Sequence, residues 1–284
     1  MTIEPFFDER TFTLTYVVFD AATRDAVIID PVLDYEPSGG KLWTESLEKV
    51  AAFVDAKGLK VHLVLETHPH ADHLSGAQWL KKRYGAKVGI GKRIVEVQGV
   101  FKDVFAFDQL PTDGRQFDLL LDDRQVLKAG ALTLEVIATP GHTPACVSFK
   151  AGDAVFTGDV LFLDDVGVGR CDFPKGDAGA LYDSVTTRLF SLPAATRLFV
   201  GHDYPPAGRS WKAMTTVAAA KQGNVQLSAE LSKAAFVEKR TARDRTLSPP
   251  RLLYPSVQVN INAGLLPEPK ANGRRYLVTP VTGL

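Results

Sequence analysis

The segment Thr67-His68-Pro69-His70-Ala71-Asp72-His73 constrains this chain more than any other, because it places four metal-ligand side chains within six residues. The run before it, 61–67 (VHLVLET), reads as a buried strand, and 73–85 (HLSGAQWLKKRYG) reads as a helix closed by Gly85. The motif therefore sits in a strand-to-helix turn. Residues two apart in an extended segment point the same way, so His68 and His70 can share one metal, while Asp72 and His73 open the helix and face a neighbouring position. Three later motifs add one ligand type each: His142 in TPGHTPA, Asp159 in FTGD and His202 in VGHDY, all in glycine-bearing turns. A lone loop histidine is ordinarily solvated, and a lone Asp after Gly is ordinarily a turn residue. Recurrence after one strand after another is what points to metal binding. His62, within the buried 61–67 strand, reads as a core residue.

The rest of the chain supplies strands and helices in alternation. Segments 11–19 and 25–30 read as two antiparallel strands with a hairpin near 23–25, and a polar stretch at 31–40 leads into a helix. In that helix Leu47, Val50, Ala51 and Val54 recur at helical spacing, and Gly58 ends it. A strand follows at 87–90, then an irregular Asp-rich region. Strands return at 132–139, 146–152, 154–159 and 197–203, with a helix at 177–192 whose Leu181, Val185, Leu189 and Leu192 share a face. After Asn224, Lys and Arg and then Pro become frequent, which divides the chain into a catalytic region, 1–224, and an extension, 225–284, expected to pack on the same domain.

Composition removes several classes of function. A chain of 284 residues with 33 basic and 33 acidic side chains has no basic excess, so neither nucleic acid nor an anionic membrane is an expected partner. No apolar run reaches the roughly 18 residues that a membrane span requires. The first twenty residues lack a basic start followed by an apolar run and a small-residue cleavage site. A cytoplasmic setting with Cys146 and Cys171 as reduced thiols is the expectation.

The order HxHxDH, His, Asp, His resembles the metallo-β-lactamase superfamily over roughly residues 11–204. That resemblance implies an α/β fold, a four-layer αββα sandwich with the metal site at one edge between two sheets, here followed by the C-terminal extension. Within the superfamily, Gly169-Arg170-Cys171-Asp172-Phe173, Gly176-Asp177-Ala178, Leu181-Tyr182 and His202-Asp203-Tyr204 are similar to the persulfide dioxygenase branch. Pro205-Pro206-Ala207-Gly208-Arg209 and the tail VQVNINAGLLPEP resemble its longer bacterial form, extending the likeness to the whole chain. Val168 stands where many relatives have Cys, and Cys171 where many have Thr.

The resemblance implies one Fe(II) per chain on His68, His142 and Asp159, with glutathione persulfide and O2 as substrates and sulfite and glutathione as products. A two-His, one-carboxylate set leaves adjacent positions open for a thiolate and O2. His70, Asp72, His73 and His202 would then orient ligands and waters, or hold a second metal as in dinuclear zinc relatives. Tyr204 and Arg170 are the expected catalytic residues. Arg209, Arg170, Tyr182 and Cys171 are the expected substrate contacts, with Arg240 and Arg251 as weaker candidates for a glutathione carboxylate. A salt bridge from Arg170 to Asp172 or Asp177 is the structural alternative. A homodimer is compatible with the sequence. Two other functions compete: a dinuclear zinc thioesterase of the glyoxalase II kind, and a non-enzymatic metal-binding sensor, against which the intact ligand set and the GRCDF stretch count.

Overall fold

A computed structural model describes residues 1–206, 208–228 and 230–281. The first sheet runs in the order β1 (Thr2–Asp8), β2 (Thr13–Phe19), β3 (Asp25–Ile29), β6 (Lys60–Leu65), β8 (Lys87–Gly91), β9 (Leu119–Leu121). The second runs β10 (Val126–Ala129), β11 (Leu132–Ala138), β12 (Val147–Ala151), β13 (Ala154–Gly158), β14 (Arg197–Val200), β15 (Met214–Thr216). A small third sheet joins β5 (Lys41–Trp43), β4 (Val32–Glu36) and β7 (Leu74–Ser75).

Period-two alternation sorts the apolar side chains of the first sheet into two cores. Leu14, Tyr16 and Val18 of β2, with Val27 and Ile29 of β3, pack against Phe149, Phe156 and Phe199 of the second sheet. Val17, Phe19, Ala26 and Ile28 turn the other way, onto α1 (Glu45–Ala56), α2 (Ala77–Tyr84) and α3 (Ile94–Phe105). The outer face of the second sheet, through Val155 and Leu198, meets α4 (Ala178–Asp183) and the π-helical turn Ser184–Leu189 that continues it. It also meets α5 (Val217–Gly223) and α6 (Lys233–Asp244). The layers are thus helix, sheet, sheet, helix. Because each central strand is covered on both faces, it reads as a nearly unbroken apolar run, and each large side chain so buried contributes about 1.5–3 kcal/mol. The last helix, α7 (Leu253–Asn260), puts Val257 into the first core and Val259 against Leu74.

Several expectations are corrected. The helix expected from His73 begins at Ala77, because Leu74–Ser75 pair with β4 and Gly76 lies where a Cβ would strike Leu47. The 31–40 stretch contains β4, β1 precedes the expected first strand, and the Asp-rich region holds α3, β9 and β10. His62 is half-buried, with Nε2 hydrogen-bonded to Asp25 Oδ1 at 2.6 Å, so its ring is given to a polar partner and it is not part of the core. Among the described residues, no helix is long and apolar enough to cross a membrane.

Candidate metal centre

All the ligand-type residues leave the C-terminal ends of strands at one edge of the two sheets. His68, His70, Asp72 and His73 follow β6; His142 follows β11, Asp159 follows β13, and His202 follows β14. The strand ends are locked together before any ion binds. Leu14 N donates to Gly201 O at 2.9 Å, and Val147 N donates to Thr67 O at 2.9 Å. Gly158 carries the turn into Asp159 with φ +52°, and a Cβ there would lie 2.4 Å from Thr67 Oγ1, so backbone conformation and space both demand glycine.

Within this frame His68, His142 and Asp159 each offer a ligand atom, all within 4.8 Å of one another, and His70, Asp72 and His73 do the same. Asp159 reaches from the first set to His202. Its Oδ2 is 3.8 Å from His68 Nε2 and 3.9 Å from His142 Nε2, while its Oδ1 is 3.3 Å from His202 Nε2. His202 Nε2 is also 3.3 Å from Asp72 Oδ2. The opposite ring nitrogens are held by the protein: His142 Nδ1 donates to Arg170 O at 2.7 Å, and His68 Nδ1 lies 2.9 Å from Thr67 Oγ1. That arrangement presents each Nε2 lone pair to the centre. The rings of His68 and His70 are 4.0 Å apart, but His70 Nε2 turns to Asp30 at 3.1 Å and Glu66 at 3.3 Å, leaving Nδ1 as its ligand atom.

Five buried atoms here lack any hydrogen-bond partner: His68 Nε2, His70 Nδ1, His73 Nε2, Asp159 Oδ1 and His202 Nε2. Orphaned buried polar atoms are costly, and these five, in and beside the two ligand sets, fit a cation-binding centre. Burial and then the neighbouring histidines push His68 well below the ordinary imidazole value, which favours the neutral, metal-binding form. Burial likewise lowers His73, with His70 acting in the same direction. Burial opposes charge on His202 as well, but Asp159 and Asp72 outweigh it and raise its pKa.

The expected substrate residues divide. Arg170 lines a cleft of about 150 Å³ beside His142 and Phe173, walled on its far side by Leu247, Pro250 and Leu253 of the tail. Its guanidinium pairs with Asp172 through two 2.6 Å bonds and donates to Ser248 O. Tyr204 is 45% exposed and stacks on the His202 ring at 5.7 Å. Arg209 departs from a free carboxylate clamp: it forms a fork on buried Asp203 at 2.6 and 2.8 Å and reaches Asp165 at 3.0 Å. Tyr182 spends its hydroxyl on Leu231 O and packs on Phe236, so it ties α4 to the approach to α6. Cys171 is buried in the helix layer, and burial pushes its thiol pKa far up, which is unsuited to a reactive thiolate. Arg240 pairs with buried Asp244, and exposed Arg251 lies 3.6 Å from Glu36.

Supporting residues that motif spacing does not single out are Thr13, Asp30, Glu66 and Asn260. Asp30 accepts from Thr67 N and Oγ1 at 2.7 and 2.8 Å, and Thr13 Oγ1 stands 3.3 Å from His73 Nδ1. Asp30 ends the strand DAVIID at the same edge as the ligands, a positional signal available in the sequence; Glu66 and Asn260 carry none.

Residues 9–202 match the metallo-beta-lactamase superfamily. A probable metallo-hydrolase of Burkholderia pseudomallei is 46% identical over the full length of both chains. The mitochondrial persulfide dioxygenase ETHE1 of Homo sapiens is 34% identical over 200 residues, 70% of this chain and 66% of that protein. The crystal structure of ETHE1 from Myxococcus xanthus superposes with a TM-score of 0.75 at 32% identity, covering 93% of this chain and 100% of that one.

Proposed function

The chain belongs to the metallo-beta-lactamase superfamily, and from that premise we propose that it is an iron-dependent dioxygenase that oxidises glutathione persulfide. The observation that carries this reading is the His68, His142 and Asp159 cluster, a two-His, one-carboxylate set of the kind used by non-haem iron oxygenases. The similarity to persulfide dioxygenases over most of the chain supports it. Fe(II) bound to these three residues would supply a redox centre with adjacent open coordination positions. The reaction balances as glutathione persulfide plus O2 plus water giving glutathione plus sulfurous acid, the sulfane sulfur losing the electrons that dioxygen gains.

The chain's own groups do the positioning. Asp159 keeps 12% of its side chain exposed, so the centre opens outward next to the cleft at His142. Phe173 and the tail residues Leu247 and Leu253 give that cleft an apolar wall, which limits water around a bound sulfur, while Arg170, its guanidinium taken up by Asp172 and Ser248 O, fixes the rim of the cleft as a salt bridge and is not a free carboxylate clamp. Tyr204 covers His202 at the other side and orders the outer edge of the site. Residues 225–284 then belong functionally to the catalytic unit.

A second reading has its own observation. Asp159 turns Oδ2 to His68 and His142 and Oδ1 to His202, which in turn lies 3.3 Å from Asp72 of the second set, so the residues present would suit a dinuclear zinc thioesterase as well. One experiment separates them: metal analysis of protein purified without added metal, followed by oxygen uptake with glutathione persulfide. We expect about one iron per chain, oxygen uptake and sulfite. Two zinc per chain with S-lactoylglutathione hydrolysis under nitrogen would replace the dioxygenase reading with the thioesterase.

A further inference from the structure

Residues 66–73 are buried or nearly so, yet they form neither helix nor strand, so their backbone groups must find partners elsewhere in the fold. For His70 and His73, one side chain from the far end of the chain supplies those partners. Asn260, the last residue of α7, is 4% exposed and donates through Nδ2 to His70 O and to His73 O, both at 2.8 Å. Its Oδ1 accepts from Ser75 N at 2.7 Å. Both amide protons and the carbonyl oxygen are in use, and all of them bind the metal-binding segment.

We infer that Asn260 is a positioning residue for the metal centre, fixing the His70–His73 turn so that His70, Asp72 and His73 are aimed before the ion arrives. One amide group holds both ends of the Ala71-Asp72 turn and sets the distance between two ligand-bearing backbones. Asparagine is specifically suited. A carboxylate has no protons to give and would face two carbonyl oxygens; an apolar residue of the same size leaves three buried backbone groups unpaired. The helix does not depend on this residue for its seat, since Val257 is buried in the first core and Gln98 Nε2 donates to Ile261 O at 2.9 Å. The C-terminal segment therefore contributes twice to the site, with Leu247, Pro250 and Leu253 walling the cleft and Asn260 holding the ligands.

The test measures affinity of the metal-free protein for Zn(II) and, anaerobically, for Fe(II), by competition with a chromophoric chelator, in Asn260→Asp, Asn260→Leu and Val257→Ala. Val257→Ala serves as a control, because it opens a cavity under the same helix while leaving the three hydrogen bonds of Asn260 to the ligand segment in place. Disturbing groups that orient metal ligands typically lowers affinity roughly 10 to 100-fold, and that loss is expected for both Asn260 variants and not for Val257→Ala. If Asn260→Asp keeps the affinity of the parent protein, or if Val257→Ala loses affinity as much at an equal drop in Tm, the positioning role is wrong. Should neither Asn260→Asp nor Asn260→Leu fold, Asn260→Ser, small and still able to donate and accept, carries the same comparison. Because the readout is binding of either metal, a zinc enzyme would overturn the dioxygenase reading and leave this inference standing.

Discussion

At the scale of single residues, the site separates side chains that offer an atom to the centre from those that hold such atoms in place. His68 and Asp159 belong to the first kind, and replacing either with Ala should abolish metal retention, read as metal per chain after desalting. His70 turns one nitrogen toward Asp30 and Glu66, so His70→Ala should weaken retention by about 10 to 100-fold without ending it. Equal and complete loss at all three positions would favour two metals sharing Asp159. Arg209 belongs with the holding residues. It neutralises Asp203, which is fully buried next to His202; truncating one partner of a fully buried ion pair costs roughly 3–5 kcal/mol, and Arg209, half-buried, sets that as the ceiling here. The remaining bond from Lys212 N to Asp203 places the expected loss for Arg209→Met at or below the lower end of that range. Urea unfolding checks it, with KM for glutathione persulfide expected to stay level. An unchanged midpoint with a raised KM would restore Arg209 as a substrate clamp.

Elements explain which parts of this design a reader of the sequence can recover. The doubly covered strands are legible because β-branched, apolar runs such as DAVII and LVL leave little choice, and the HxHxDH, His, Asp and His motifs are legible because each follows such a run. Asn260 is not legible, since its partners lie nearly two hundred residues away and its role depends on where α7 lands. The helix start at Ala77 is hidden for a related reason: Leu74 and Ser75 are claimed by pairing with β4, a tertiary contact that overrides helical patterning. Gly158 is legible only as a turn. Its φ of +52° and the 2.4 Å approach to Thr67 show that Gly158→Ala should cost at least about 1–2 kcal/mol and reduce metal binding, because the strain falls on the turn that carries Asp159. Unfolding and metal titration on the same variant check this; binding at the parent level would show that the turn adapts.

Asp25 illustrates how elements of the two sheets are joined away from the site. Its carboxylate accepts from Ala131 N, in the turn between β10 and β11, and pairs with His62 of β6. Those bonds, the Ala131 amide first, hold its pKa down to about 2 from an ordinary 3.8. A carboxyl whose folded pKa is depressed adds stability above its unfolded value and loses it as the pH falls through the folded value. The contribution should therefore be complete above about pH 4 and disappear toward pH 2. Tm measured across that window should fall less steeply in Asp25→Asn than in the parent; parallel profiles would show that the link contributes nothing.

Over the whole molecule, the ligand-type residues are divided between the sheets: His68, His70, Asp72 and His73 hang from the first, and His142, Asp159 and His202 from the second. An ion at the centre therefore ties together two layers that otherwise meet through apolar side chains and a few edge hydrogen bonds. Unfolding separates the ligands, so the metal binds the native state in preference, and at free metal 100 times Kd the native state gains about 2.7 kcal/mol. For a chain of this size that amounts to several degrees in Tm, rising with the logarithm of free metal. The tail should share in the effect, because Asn260 is bonded to the ligand segment and α7 sits in the first core. Metal should accordingly slow proteolysis within 247–260 as well as near 66–76. Limited proteolysis with mass spectrometry, run beside a thermal titration on chelator-treated protein, tests both points. A Tm that does not respond to metal would mean that the ligands do not act as one centre across the sheets, and protection confined to 66–76 would mean that the tail is not coupled to it.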